Sequence, residues 1–232
     1  MPRIIYIHVP KCGGSSFGAA LRLRYIASQA TIRLGGGDPA LLGEARILSD
    51  YARRQDDLRD CIAAGKRMIS GHVQYDPDLH DGVASGYQFV TLLRDPVDRF
   101  VSHYHYVQRR HPNPERADTL AAYVKTQDAR RLASQYLFYF AGKPQTSASE
   151  TAPLVARAIA NLSRFDIVGD LARPHVFARD LRRLTGFPLP RWYRNAAPVP
   201  TRVPASLRGE IEALCAPDIA IYHSRFPIRA AA

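Results

Sequence analysis

The sequence predicts an α/β protein built on a parallel β-sheet flanked by helices. Short apolar runs, rich in β-branched and aromatic residues, alternate along the chain with longer segments of helical periodicity. This alternation is typical of strand–helix–strand units, in which right-handed crossovers make neighbouring strands parallel. The 232 residues are 46% hydrophobic and 23% charged, an ordinary globular composition. Because no internal repeat or clear linker interrupts the chain, we expect one domain over residues 1–232.

Four apolar runs that are bounded by turn residues predict strands. These strands cover residues 3–9, 67–73, 87–93 and 165–171. Periodic segments between and after them predict the helices. These helices cover residues 17–26 and 41–64, a segment starting at 96, and residues 120–132, 134–140, 154–164, 174–184 and 207–226.

Local signals refine three of these helices. Pro96 suits the first helical position and Asp95 suits the cap that precedes it. Pro217 should break or kink the last helix. In the helix over 41–64, spacing places Leu48 and Leu58 on the apolar face.

The formal net charge of +11 indicates an anionic partner, such as a nucleic acid, a membrane surface or a sulfated or phosphorylated substrate. Only four of the 32 basic residues are lysines, so an arginine-rich genome composition explains the excess equally well. The chain contains no block of five or six consecutive basic residues. A polybasic nucleic-acid tail is therefore not supported, and we expect no nucleic-acid partner.

Cysteine usage and hydropathy indicate the compartment. The three cysteines are far apart and odd in number, which argues against a disulfide framework and a cysteine-rich zinc module. No apolar run approaches the ~18–20 residues that span a bilayer. The apolar stretch at the amino terminus is too short for the core of a signal peptide. We therefore expect a cytoplasmic protein without a transmembrane segment.

A glycine-rich turn with the sequence PKCGGSS occupies residues 10–16, between the first strand and the first helix. Such a turn aims backbone N–H groups at one point, where the helix dipole favours an anion. Lys11 adds a positive charge, and Ser15 and Ser16 add hydroxyl donors. The lysine precedes the glycines and Cys12 follows it, so the motif is not a Walker A loop. The alternative is a tight turn with an incidental lysine.

A second candidate motif begins where the strand over 87–93 ends. Arg94 stands at the carboxyl end of that strand, where open α/β sheets bind ligands, and Ser102 lies about two turns into the following helix. An arginine and a hydroxyl so placed can hold a phosphate group. The alternative is that Arg94 pairs with Asp95 or Asp98 while Ser102 is merely solvated.

Together these motifs resemble the 5′-phosphosulfate loop and the 3′-phosphate motif of the sulfotransferases, most closely the branch of heparan sulfate and uronyl 2-O-sulfotransferases and their bacterial relatives. The resemblance implies a P-loop-like sulfotransferase fold. It also implies 3′-phosphoadenosine 5′-phosphosulfate as co-substrate, an acceptor hydroxyl of a carbohydrate or small metabolite, and no metal. It assigns the 5′-phosphosulfate to Lys11, Cys12, Gly13, Gly14, Ser15 and Ser16, and the 3′-phosphate to Arg94 and Ser102.

A third candidate is His72, in the segment ISGHV. This segment resembles the Gly-His-Val segment of the 2-O-sulfotransferases, whose histidine is a catalytic base. Those enzymes carry another histidine two residues earlier, where this chain has Ser70. A histidine with a near-neutral pKa suits removal of a hydroxyl proton. His103, His105 and Glu44 are competing bases, and a histidine that only caps a strand end is the structural alternative.

A proline-rich loop over residues 188–204 is the fourth feature. In the sulfotransferases a late loop closes over the nucleotide, which by resemblance makes contacts from Asn195, Thr201 and Arg202 plausible. Trp192 or Tyr193 can stack on adenine. A surface loop pinned by its prolines explains the same sequence equally well.

By this interpretation His72 and Lys11 are the catalytic residues. His72 takes the proton of the acceptor hydroxyl, and Lys11 stabilises the charge that develops on the bridging oxygen of the donor. Two alternatives stay open: a degenerate P-loop kinase or other nucleotide-binding protein, and a basic protein that binds anions or nucleic acid. The sequence leaves the acceptor and the oligomeric state undetermined.

Overall fold

A computed structural model describes residues 1–110, 117–142, 148–188 and 203–227 of the chain. Its centre is a five-stranded parallel sheet with the strand order β2-β3-β1-β4-β5, which confirms the predicted α/β class. The strands are β1 (Arg3–Ile7), β2 (Gln29–Ile32), β3 (Met68–Gly71), β4 (Tyr87–Leu93) and β5 (Ile167–Asp170).

Helices connect and cover the strands. They are α1 (Gly14–Arg24), α2 (Gly43–Ala63), α3 (Pro77–Asp81), α4 (Pro96–Arg110), α5 (Leu120–Tyr123), α6 (Gln127–Ala133), α7 (Gln135–Ala141), α8 (Ala148–Ser163), α9 (Pro174–Thr185), α10 (Ala205–Leu214) and α11 (Ala216–Arg225). Within the described ranges, none of them combines the length and the hydropathy that a bilayer crossing requires.

The structure differs from the predicted elements at a few points. The four-residue edge strand β2 and the short helix α3 were not predicted. The helix predicted over 120–132 is two helices, because the side chain of Thr126 accepts a hydrogen bond from the backbone N–H of Ala129 and starts α6 afresh. The predicted break near Pro217 is confirmed, since α10 ends at Leu214 and Pro217 stands in the first turn of α11.

The side chains of β1 alternate between two helical layers. Ile5 and Ile7 belong to the larger core, which α2, α7, α8 and α11 cover. Ile4 and Tyr6 belong to the core on the opposite face, which α1 and α9 cover. A third apolar cluster joins α4 to α5, α6 and α10 beside the sheet.

The buried face of α2 is only partly the one that we predicted: Leu58 lies on it and Leu48 does not. Leu48 is 44% exposed, whereas Tyr51, Arg54 and Leu58 are buried. Arg54 tolerates burial because it pairs with the carboxylate of Asp50 at 2.9 Å and its guanidinium lies over the ring of Tyr51. The prediction failed for Leu48 because a helical arginine normally indicates a solvated side, so the buried position of Arg54 was not expected.

The strand order places three chain segments side by side. Strand β1 pairs with β3 on one side and with β4 on the other, and Ile7 is in register with both Gly71 and Thr91. Because all these strands are parallel, their carboxyl ends meet at one edge of the sheet, where α/β proteins bind ligands. The residues that follow β1, β3 and β4 are therefore neighbours.

A buried ion pair anchors the helices behind this edge. Arg99 of α4 and Asp218 of α11 are both fully buried, with 3.7 Å between their charged groups. The carboxylate of Asp218 also accepts hydrogen bonds from the backbone N–H groups of Tyr136 and Leu137 at the start of α7. One carboxylate thus fixes α7 relative to α4 and α11.

Replacing Asp218 should destabilise the protein strongly. We expect Asp218→Ala to lower the free energy of unfolding by about 3–5 kcal/mol, because the change leaves a buried guanidinium and two backbone donors without their acceptor. Urea denaturation measures this loss. Asp56→Ala is the matched control, since Asp56 forms an exposed ion pair with Arg59 and its removal should leave the unfolding free energy nearly unchanged. Equal effects of the two changes would mean that the Asp218 carboxylate does not anchor these helices.

Candidate active site

The turn over residues 10–16 contains left-handed backbone and packs closely against Leu171. Lys11 has φ 68° and is the one non-glycine residue with positive φ in the described part of the chain. Gly13 has φ 72°, and a Cβ atom there would lie 2.6 Å from Cδ1 of Leu171. Left-handed backbone at a lysine costs of order 1 kcal/mol, a strain that proteins retain mainly at functional sites.

The amino terminus of α1 opens directly from this turn. No side chain caps α1, and its first turn contains no acidic residue. Apart from the N–H of Ser16, which donates to the carbonyl of Gly13 at 3.3 Å, its first backbone N–H groups and the positive end of its dipole are thus available to an anion. The side chain of Ser15 is exposed and that of Ser16 is partly buried, so both lie near the surface beside these donors.

Arg94 and Lys11 meet at this edge of the sheet. The guanidinium of Arg94 donates a hydrogen bond of 3.5 Å to the backbone carbonyl of Lys11. Asp95 and Asp98 do not pair with Arg94. Instead the carboxylate of Asp95 accepts a hydrogen bond of 3.0 Å from the backbone N–H of Asp98 and so caps α4, as predicted. The carboxylate of Asp98 lies 4.0 Å from the guanidinium of Arg208.

The ammonium of Lys11 lies over the ring of Tyr106 on α4, 4.1 Å from the ring centroid. Burial lowers the pKa of Lys11, and the positive charges of Arg109 and Arg94 lower it further. Ser102 precedes Tyr106 by four residues, so the two lie on the same face of α4. Ser102 is partly exposed on this face, on the side of the helix that meets Lys11.

Lys11, Arg94 and Arg109 form a cationic cluster. In the part of the chain that the structure describes, none of the three has an ion pair with a carboxylate. Like charges held together raise the energy of the empty site, and a bound anion relieves that repulsion. The arrangement favours a ligand with more than one negative group.

His72 follows β3 at the same edge. Its Nδ1 hydrogen-bonds to the backbone carbonyl of His8, and because a carbonyl only accepts, Nδ1 carries the proton and Nε2 is left as the basic nitrogen. Burial lowers the pKa of His72 to about 4, an effect that the Arg54 charge increases and the His8 carbonyl opposes. Arg54 also donates a hydrogen bond to the carbonyl of His72. The imidazole is therefore unprotonated near pH 7, as a general base must be, but its pKa lies below the near-neutral range that we expected from the sequence.

Cys12 does not present its side chain to this edge. Its thiol is fully buried and lies 3.5 Å from the hydroxyl of Tyr136, so only its backbone is placed to meet an anion. The hydroxyl of Tyr136 accepts from the N–H of Arg94 at 2.9 Å and donates to the carbonyl of Arg94. Tyr136 thus connects the turn after β1 to the turn after β4.

The other predicted candidates lie elsewhere or outside the described residues. His103 and His105 are on α4, and burial lowers the pKa of His105. Glu44 is exposed in the first turn of α2. The five candidate residues of the proline-rich loop lie in the range 189–202, outside the described part of the chain; they are Trp192, Tyr193, Asn195, Thr201 and Arg202. Within the described residues, no group of three or more His, Cys, Asp or Glu side chains is placed to hold a metal ion.

Sequence reasoning missed four residues of this site: His8, Arg54, Tyr106 and Tyr136. His8 is the last residue but one of the strand predicted over 3–9, so the sequence already indicated its place near the carboxyl edge. Tyr106 follows Ser102 at a spacing of four, which also predicts a shared face. For Arg54 and Tyr136 the sequence offers no signal, because their contacts depend on tertiary packing.

A solved sulfotransferase shares the fold of this chain. A solved sulfotransferase from Alicyclobacillus acidocaldarius is similar to the chain with a TM-score of 0.52 and 20% sequence identity, and the match covers 97% of this chain and 95% of that one. The crystal structure of mouse sulfotransferase SULT7A1 complexed with PAP matches with a TM-score of 0.45 and 16% identity, over 100% of this chain and 66% of the mouse chain. No curated protein sequence matches the chain.

The family model described as "Sulfotransferase family" matches residues 2–188. This range contains all five strands and each of the described site residues, from the turn after β1 to α4 and α7. The match covers well over half of the 232 residues. The chain therefore belongs to the sulfotransferase family.

Proposed function

We propose that the protein transfers a sulfuryl group from 3′-phosphoadenosine 5′-phosphosulfate to a hydroxyl of a carbohydrate or small metabolite. One observation carries this proposal: the guanidinium of Arg94 contacts the backbone carbonyl of Lys11, so the two anion-binding motifs lie at one site. A single ligand with phosphate groups at both ends can therefore reach both. We also propose that the chain is related to the 2-O-sulfotransferase branch, on the strength of its loop and its Gly-His-Val segment.

The residues present fit such a nucleotide. Lys11, the N–H groups that begin α1 and the hydroxyls of Ser15 and Ser16 would hold the 5′-phosphosulfate. Arg94 and Ser102 would hold the 3′-phosphate. Both groups are anions, and their arrival would relieve the repulsion among the uncompensated cations at this edge.

The donor supplies a sulfuryl group whose transfer forms an O–S bond to the acceptor and breaks the O–S bond to the 5′-phosphate. His72 serves as general base, and its unprotonated Nε2 takes the proton of the acceptor hydroxyl. Lys11 and the N–H groups of α1 stabilise the negative charge on the departing phosphate oxygen. Positioning and electrostatics supply the catalysis, as in phosphoryl transfer.

The proline-rich loop belongs to this proposal as well. We place Asn195, Thr201 and Arg202 among the contacts to the nucleotide, by resemblance to the late loop of the sulfotransferases. We further propose a cytoplasmic location, because the three cysteines are unpaired and suit a reducing compartment.

The decisive experiment combines ligand binding with group transfer. We expect 3′,5′-bisphosphoadenosine to raise the melting temperature, whereas ATP with magnesium and a short oligonucleotide leave it nearly unchanged. Incubation with ³⁵S-labelled donor and a panel of glycans and small hydroxyl compounds should then label one acceptor class. Preferential stabilisation by ATP with magnesium would point to a kinase-like protein, and preferential stabilisation by the oligonucleotide to a nucleic-acid-binding protein. Either result contradicts the proposal.

Lys11→Ala should leave the fold intact and reduce turnover at least ~100-fold, because it removes a charge that stabilises the leaving oxygen. Steady-state kinetics with labelled donor measures the effect, and circular dichroism verifies the fold. Lys125→Ala is the matched control, since Lys125 is exposed and follows α5. Near-normal turnover of Lys11→Ala would remove Lys11 from the mechanism.

Tyr136→Phe should weaken nucleotide binding about 10-fold, because the backbone of Arg94 loses its hydroxyl partner and the turn that carries the guanidinium shifts. Isothermal titration calorimetry with 3′,5′-bisphosphoadenosine measures this affinity. Tyr139→Phe is the control, since it removes another buried hydroxyl of α7, which bonds to Tyr51 at 2.9 Å. If both variants bind the nucleotide equally well, Tyr136 does not support the site.

A further inference from the structure

His8, the first residue after β1, lies face to face with His72. Their ring centroids are 4.5 Å apart and their planes differ by 27°. The ring of Tyr6 is stacked near His8 as well, at 6.0 Å and 19°. The imidazole of His8 is thus part of an aromatic column that ends at His72.

His8 also contacts the start of α1. A Cβ atom at Gly14 would lie 2.2 Å from Cδ2 of His8, so the helix backbone packs directly against this ring. The backbone carbonyl of His8 accepts the Nδ1 proton of His72. One residue therefore touches both the anion-binding turn and the general base that we propose.

The surroundings of His8 keep its imidazole neutral. Burial lowers the pKa of His8 well below its ordinary value, and the charges of His72, of Arg22 on α1 and of Lys11 in the turn lower it further. Two groups lie against His72: the ring of His8, which follows β1, and the charged guanidinium of Arg54 on α2. A neutral ring at position 8 adds no positive charge to this crowded edge, so it can stack on His72 without electrostatic cost.

We propose that His8 is a positioning residue for His72: its ring fixes the orientation of the His72 imidazole and shields that imidazole from water, so that Nε2 points to the acceptor. The role of His72 as base rests on the proposed function, whereas the packing of the two rings does not. In this proposal His8 positions the base His72 and takes no part in proton transfer.

The proposal has a measurable consequence for the protonation of His72. Burial is the main reason that the pKa of His72 lies at about 4. Removing the ring of His8 admits water and restores hydration of the protonated form, so the pKa of His72 should rise. Activity requires unprotonated His72 and is lost as the pH falls through this pKa. The acidic limb of kcat/KM should therefore move to higher pH when the ring is absent.

The experiment compares His8→Ala and His8→Asn, which remove the ring, with His8→Phe, which keeps a flat ring without nitrogen atoms. NMR titration follows the Cε1–H resonance of His72, identified by its loss in His72→Asn. We expect the pKa of His72 to rise by at least ~1 unit in the first two variants and to stay low in His8→Phe. Turnover at pH 7 should fall ~10-fold without the ring and much less in His8→Phe. Circular dichroism verifies that each variant folds.

Two results would overturn the proposal. An unchanged pKa of His72 in His8→Ala would mean that the ring does not shield the base. A loss of turnover in His8→Phe as large as that in His8→Ala would mean that a nitrogen atom of His8 takes part directly. The NMR titration needs no turnover, so a wild-type protein that transfers no sulfuryl group contradicts the proposed function while the titration still decides the role of His8.

Discussion

The site depends on the pairing of β1 with two parallel partners. Hydrogen bonds to β3 and β4 hold the carboxyl end of β1 between theirs. The side-chain hydroxyl of Thr91 adds a bond of 2.9 Å to the carbonyl of Ile7, the last residue of β1. Because the strand ends are fixed in this way, the segments that follow them lie side by side, and the hydroxyl of Tyr136 then connects two of them. The contact between Arg94 and Lys11 and the stacking of His8 on His72 both follow from this pairing.

Several features of the candidate site at the carboxyl edge of the sheet destabilise the fold. A lysine with left-handed backbone, three cations that pair with no carboxylate among the described residues, and a histidine that is buried in its neutral form each cost free energy. Support comes from behind the edge, where the carboxylate of Asp218 holds the start of α7 and the hydroxyl of Tyr136 holds both turns. The sheet and its buried helices thus stabilise a site that is unfavourable without its ligand.

Local sequence signals predicted the elements that surround this candidate site but not the packing that supports them. The strand β4, the cap at Asp95 and the glycine turn follow from patterns a few residues long, so they were predictable. The order of the strands depends on contacts between distant segments, and β2 is too short to show a period. The burial of Arg54 and the bridge through Tyr136 depend on partners that are far away in sequence, and no local pattern encodes them.

The close approach of Gly14 to the His8 imidazole links the evolution of two positions that are six residues apart. As long as an aromatic ring occupies position 8, every side chain at position 14 collides with it. Glycine at position 14 is therefore a steric necessity. A lineage that loses the ring gains room for alanine at 14. If this steric constraint acted during evolution, residues 8 and 14 should covary among homologous chains.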